Sequence, residues 1–164
     1  SGGTAIVSNY GSGGIGTAWV VRSTPITTNL NAITYALGGF YAVGNGGRIL
    51  SSADGYVWNE VPDSAITTTQ NLLDVNYVDN KLIAIGKNGT IIYSMDGSIW
   101  TSVTSNVSED LYSIVYTDNV YIISGSNSLI LNSLDGINWN IRRSASTTTF
   151  NKIIAYPQGI IGVG

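Results

Sequence analysis

Three aspartates, Asp54, Asp96 and Asp135, hold the same place in a phrase that the chain writes three times. The phrase is S-x-D-G-x-x-W: Ser52, Asp54 and Trp58, then Ser94, Asp96 and Trp100, then Ser133, Asp135 and Trp139. Carboxylates do chemistry in two common ways. Two that converge at a set separation serve as acid and base, or acid and nucleophile, in glycoside hydrolysis. Several in one loop bind calcium. The chain writes neither pattern. Its only glutamates are Glu60 and Glu109, and no pair of acids recurs outside the phrase. There is no histidine and no cysteine, which removes the usual general base, the commonest metal ligand, thiolate sites and any disulfide. The residue types point to a protein with no catalytic residue, no metal and no cofactor.

Locally, every part of the phrase has a folding task. The aspartate sits where the chain reverses, and its carboxylate can accept backbone N–H groups as Asx-turns do. The glycine supplies a backbone angle that other residues avoid. The tryptophan buries a large face between neighbouring units and sends its indole N–H to an acceptor. Ser52, Asp54, Trp58, Ser94, Asp96, Trp100, Ser133, Asp135 and Trp139 are therefore read as structural.

The elements that position these residues follow from the period. Trp19, Trp58, Trp100 and Trp139 lie 39, 42 and 39 residues apart, and a fixed period near forty marks a repeat architecture. Each unit reads as four short strands. The first ends in a tyrosine (Ala32–Tyr35, Leu73–Tyr77, Leu111–Tyr116, Lys152–Tyr156). A tight turn leads to an apolar second strand (Phe40–Gly44, Leu82–Gly86, Val120–Ser124, Ile160–Gly164), and a Gly/Asn turn to a third (Arg48–Ser52, Thr90–Ser94, Leu129–Ser133). The Asp-Gly turn then opens a fourth strand carrying the tryptophan. The stretch from Ser1 to Ser8 matches Asn45 to Ser52, so the N-terminal strands are expected to complete the unit begun by Lys152–Gly164. The expected fold is an all-β propeller of four four-stranded blades, one domain over residues 1–164. Its repeats run about 32–72, 73–110, 111–151, and 152–164 joined to 1–31. A piece of a larger propeller, or a chain that closes by oligomerising, would give the same matching ends.

Composition narrows the partners. Hydrophobic residues make up 43% of the 164 and charged residues only 10%, with a net charge of −3. Nucleic acid and anionic membrane both need clustered cations, and Arg142-Arg143 is the only basic pair. No apolar stretch approaches the roughly 18 residues that cross a bilayer. Neither nucleic acid nor membrane insertion is expected.

The phrase resembles a shortened Asp-box, S-x-D-x-G-x-T-W, the bacterial neuraminidase repeat. Asp54, Asp96 and Asp135 match its aspartate, Ser52, Ser94 and Ser133 its serine, and Trp58, Trp100 and Trp139 its aromatic residue. The repeat text is also similar to repeats in bacteriophage virion proteins, of tail or fibre type, and in secreted bacterial proteins. The resemblance implies a propeller whose boxes fold the blade periphery, in a virion or extracellular setting. Sialidases of that family hold the substrate carboxylate with three arginines and use a tyrosine nucleophile paired with a glutamate. Here Arg22, Arg48, Arg142 and Arg143 are the whole supply, and the last two, being adjacent, point to opposite sides of a strand. A sialidase-like hydrolase is the least supported reading.

A binding site is expected on the face shared by the second-to-third-strand turns and the links between blades. The links carry Thr27 and Thr28, Thr67, Thr68 and Thr69, and Thr147, Thr148 and Thr149, while the turns add Asn45, Lys87, Asn88 and Asn127. Such hydroxyls and amides suit a surface glycan, and suit a solvated rim equally well. Arg22 is the one further cation near the first blade, and Tyr10 stands in a Gly-rich enlargement (residues 9–16) where that blade departs from its siblings. The functional expectation is a non-enzymatic module that binds a surface glycan or a virion protein. A purely architectural domain that packs against copies of itself is the alternative.

Overall fold

The computed structural model describes residues 3–8, 19–143 and 147–164. Short, alternating apolar segments punctuated by Gly, Asn and Asp fold here into sixteen strands and three single 3-10 turns. Three sheets have four antiparallel strands each. The first is β3 (Leu30–Ala36), β4 (Gly39–Gly44), β5 (Ile49–Ser52) and β6 (Asn59–Glu60); the second is β7 (Leu72–Val78), β8 (Lys81–Gly86), β9 (Ile91–Ser94) and β10 (Thr101–Val103). The third is β11 (Leu111–Thr117), β12 (Val120–Gly125), β13 (Leu129–Ser133) and β14 (Asn140–Arg143). Each follows chain order, as expected of a propeller blade. Two further sheets have two strands each: β1 (Thr4–Ser8) with β2 (Trp19–Ser23), and β15 (Lys152–Tyr156) with β16 (Gly159–Val163).

Neighbouring blades pack face to face through their apolar alternates, with the first strands side by side: β3 on β7, β7 on β11, β11 on β15. Val43 and Ile49 of the first blade meet Val75, Ala84, Ile92 and Trp100 of the second. Ile83, Ile85 and Ile91 of the second meet Ile114, Ile123, Leu131 and Trp139 of the third. A smaller cluster, with Ala42, Leu50 and Trp58, is met by Ala5 of the β1–β2 hairpin and by Ile26 in the link after it. This alternation is why a one-residue slip matters: it would turn a strand's core face to water.

Two expectations need correction. The tryptophan of the phrase precedes the fourth strand: Trp58, Trp100 and Trp139 lie just outside β6, β10 and β14. The cause is the turn, which carries the indole inward before pairing resumes. The first strand of the last unit is Lys152–Tyr156 as expected, with the tyrosine one step nearer its turn than in the siblings. Tyr35, Tyr77 and Tyr116 pair with Phe40, Leu82 and Tyr121, whereas Tyr156 pairs with Gly159 beside the turn. In β15 it is therefore Ile153, 3% exposed, that takes the inward place of Val75 and Ile114. Second, β1 and β16 do not share a sheet; among the described residues each pairs with its own hairpin partner.

Candidate functional site

The repeated phrase builds the same corner three times. Asp54 Oδ1 accepts the N–H groups of Tyr56 (2.7 Å) and Val57 (3.0 Å). Asp96 Oδ1 accepts those of Ser98 and Ile99 (2.7 and 3.1 Å), and Asp135 Oδ1 those of Ile137 and Asn138 (2.8 and 2.7 Å). The serine hydroxyl takes the glycine N–H, 2.9 Å in all three, while Gly55, Gly97 and Gly136 stand at φ +78, +76 and +74. Backbone N–H groups aimed at an anion favour its ionised form. They hold all three carboxyls below the usual carboxylate range: Val57 then Tyr56 at Asp54, Ser98 then Ile99 at Asp96, and the backbone and side chain of Asn138 at Asp135. A carboxylate committed to its own turn is a poor acid or base near neutrality.

The indoles follow the expected pattern twice. Trp58 and Trp100 donate Nε1–H to the carbonyls of Gly55 and Gly97 (3.0 and 3.3 Å). Trp139 Nε1 is buried without a hydrogen-bond partner among the described residues, and Trp19 is 61% exposed.

The second-to-third-strand turns and the inter-blade links do share one face, tied by backbone hydrogen bonds. Asn45 N–H donates to Asn29 O (3.0 Å), Lys87 N–H to Asn71 O (2.9 Å), Ser126 N–H to Asp110 O (2.9 Å) and Ser128 N–H to Thr148 O (2.8 Å). Glycine is required at these close approaches: a Cβ on Gly47, at φ +74, would strike the Thr68 carbonyl.

The residues picked out in the sequence have separate surroundings on this face. Thr67, Thr68 and Thr69 line a cleft of about 410 Å³ with Gly46, Gly47, Arg48, Asp63 and Ile66. There Arg48 bridges Glu60 (2.8 Å) and Asp63 (2.6 Å). Asn45 accepts from Asn31 Nδ2 (2.9 Å), and Asn88 donates to Gln70 (2.8 Å). Lys87 Nζ lies 2.6 Å from Asp110. Burial pushes the Asp110 carboxyl up, but Lys87 and the Asn88 N–H outweigh it, so it titrates below its ordinary value, and the ion pair raises Lys87. Thr147 and Thr149 belong to the last link with Thr148, and Asn127 is exposed at φ +53. Thr27 is exposed beside the half-buried Thr28, whose Oγ1 is buried without a hydrogen-bond partner among the described residues. Arg22 is elsewhere, its guanidinium 4.5 Å over the Tyr56 ring. Tyr10 lies outside the described residues.

A larger cleft, about 660 Å³, escaped the sequence reading. It opens between the outer strands of the second blade and the phrase of the third, and includes Tyr93, Thr101, Ser102, Asn106, Asn138 and Trp139. Every residue lining it is uncharged. The signal available in the sequence was Tyr93, which stands where the sibling strands have Ser51 and Asn132.

Among the described residues no group of three His, Cys, Asp or Glu is placed to hold a metal ion. Among them, too, no helix is long and apolar enough to cross a membrane.

Chain-ordered four-stranded sheets packed around their first strands define a β-propeller. The chain belongs to the DUF6242 beta propeller domain family, whose profile matches residues 5–111. A search among curated proteins finds no match. Among solved structures it is similar to YCF48 bound to D1 peptide, at 15% identity and TM-score 0.65, over 88% of this chain and 49% of that one. It is similar to YCF48 from Cyanidioschyzon merolae (16%, TM-score 0.65, 90% and 54%) and to the computationally designed Ika8 protein (13%, TM-score 0.66, 96% and 48%). The chain thus spans about half the length of these three.

Proposed function

We propose that this domain is a non-catalytic binding module that takes an extended, uncharged protein segment in the cleft between its second and third blades. The observation that carries the reading is the lining of that cleft: hydroxyls and amides from Tyr93, Thr101, Ser102, Asn106 and Asn138 around apolar Val103 and Ile137, with no charged group. A concave site with a few polar groups over apolar surface is how such modules hold and orient ligands. A peptide backbone offers alternating donors and acceptors to such a lining without a charge to neutralise. The similar YCF48 structure, described as bound to D1 peptide, supports a protein partner. Catalysis has no support from the three phrase carboxylates, each committed to its own turn.

A glycan is the second reading, favoured by the hydroxyls of Thr67, Thr68 and Thr69 in the smaller cleft. A virion or secreted setting rests on the resemblance of the repeat text alone. Parallel synthetic-peptide and glycan arrays, probed with the wild type, Tyr93→Ala and the triple Thr67/Thr68/Thr69→Ala variant, separate the readings. Peptide binding lost in Tyr93→Ala and kept in the triple variant is expected. Glycan binding lost only in the triple variant would overturn the assignment, as would peptide binding indifferent to Tyr93.

A further inference from the structure

The chain fills one gap between blades with its own link and leaves the next gap open. From Trp58 to Leu72 is fourteen residues, but from Trp100 to Leu111 only eleven. Val61 and Val103 each stand three residues after their tryptophan. The carbonyls of Thr68 and Val107, each four residues before the leucine, stand where a Cβ on Gly47 or Gly89 would be. The three additional residues of the first link therefore fall between Val61 and Thr68, and the 3-10 turn Asp63–Ala65 supplies them.

That turn is laid against the outer edge of the second blade. The Ala65 carbonyl accepts the Trp100 N–H at 2.8 Å, and Ala65 and Ile66 pack on the core cluster that holds Trp100. Just beyond, Thr67 donates its hydroxyl to the Trp100 carbonyl (3.3 Å) and accepts that of Ser102 (2.7 Å). Arg48 pins the start of the turn through Asp63, at 2.6 Å.

One blade on, the same place has no cover. Trp139 lies just ahead of β14 as Trp100 lies ahead of β10. Its backbone N–H, however, has no hydrogen-bond partner among the described residues. The 660 Å³ cleft opens there, with Asn138 and Trp139 on one side and Thr104 and Asn106 of the shorter link on the other. The anchor is missing as well. Thr90 follows the β8–β9 turn where Arg48 follows that of β4–β5, and Ser102 pairs with Ile92 where Glu60 pairs with Leu50.

We infer that this cleft takes an extended peptide in the pose that residues 63–66 hold one gap earlier, with the carbonyl of a small residue accepting the Trp139 N–H. The assignment rests on the peptide reading of the cleft and adds what the peptide must carry. The residue at that carbonyl is small because Ala65, its counterpart, packs into the seam between blades, where a larger side chain would overpack. An acid at the place of Asp63 is not selected, since no cation stands where Arg48 does. Link length is then the device that closes one gap and keeps the other free for a partner.

The probe is a capped, fluorescein-labelled peptide, Pro-Asn-Ser-Ala-Ile-Thr, which is the chain's own stretch 62–67 with asparagine in place of Asp63. Fluorescence anisotropy should show the wild type binding it at least about tenfold more tightly than the same peptide with leucine in place of alanine. Inserting Asp-Ser-Ala after Val103, together with Thr90→Arg, gives the second link the length and anchor of the first. This graft should fill the cleft from within and abolish binding of the probe and of array-selected peptides, with every residue of the cleft wall retained. Binding indifferent to the graft, or equal for the alanine and leucine peptides, would overturn the pose. The alanine–leucine comparison on the wild type decides alone if the graft fails to fold. Array peptides that bind through Tyr93 while the probe does not would overturn the pose and leave the peptide reading standing; no peptide binding of any kind would remove both.

Discussion

Gly97→Ala and Gly136→Ala are the same change at the same place in two blades, and the structure separates them. Both residues have positive φ, +76 and +74, so alanine at either costs about 1–2 kcal/mol in backbone strain. At Gly136 the new methyl meets Tyr121 Cζ and Ile83 Cδ1 at 3.3 and 3.4 Å, the ends of side chains that can give way by a few tenths of an ångström. At Gly97 it runs into the Tyr41 ring. That ring is half-buried and packed against the first two blades' shared core, and displacing it adds about 1–3 kcal/mol, as overpacking does elsewhere. The expected losses are about 2–5 kcal/mol for Gly97→Ala and about 1–2 for Gly136→Ala, a gap in Tm of about 2–12 °C at this chain length. Urea unfolding followed by tryptophan fluorescence measures both. In a Tyr41→Ala background the cost of Gly97→Ala should fall to the Gly136 level, a coupling that a double-mutant cycle isolates. Equal losses in the two single variants, or no coupling to Tyr41, would refute the inter-blade packing described here.

Ser94→Ala removes the hydroxyl that accepts the buried Gly97 N–H at 2.9 Å, and stranding that donor should cost about 1–3 kcal/mol, read as a fall in urea midpoint. Trp139→Phe should cost less than Trp58→Phe or Trp100→Phe by about 0.5–1.5 kcal/mol, because only the latter two lose an indole hydrogen bond; thermal melts of the three rank them. Acid should weaken the fold through the phrase. Asp54, Asp96 and Asp135 have folded-state values below 3.8, so their contribution is complete above the unfolded value near 3.8 and is lost as pH falls through the lower folded values. Urea midpoints should therefore drop below about pH 4, and an Asp96→Asn variant should drop less over that range.

Much of the architecture was legible because the phrase repeats. Serine, aspartate and glycine at fixed offsets specify a turn whose hydrogen bonds are local, so Asp54, Asp96 and Asp135 could be placed without knowledge of the rest. The links and turns shared a face as expected, since that follows from antiparallel strands in chain order. What the pattern missed was non-local or a matter of single steps. Tyr156 matches its siblings in type, but Pro157 and Gln158 make the turn one residue earlier, which puts Ile153 inward. The cleft at Tyr93, Asn106 and Asn138 draws on two blades, and no spacing within one repeat joins those residues. Matching text likewise gives β1 its place within a blade and is silent on which strand it pairs with.

Hydrogen exchange on the wild-type chain tests the proposed peptide cleft most directly. Recorded with and without a peptide selected from the array, it reads the backbone amides around the cleft at Tyr93, Thr101, Ser102, Asn106 and Asn138. The account predicts slowed exchange on peptide addition in 101–106 and 137–140, with the amides of the first blade unchanged. Slowing confined to the first blade, or around Thr67, Thr68 and Thr69, would contradict it.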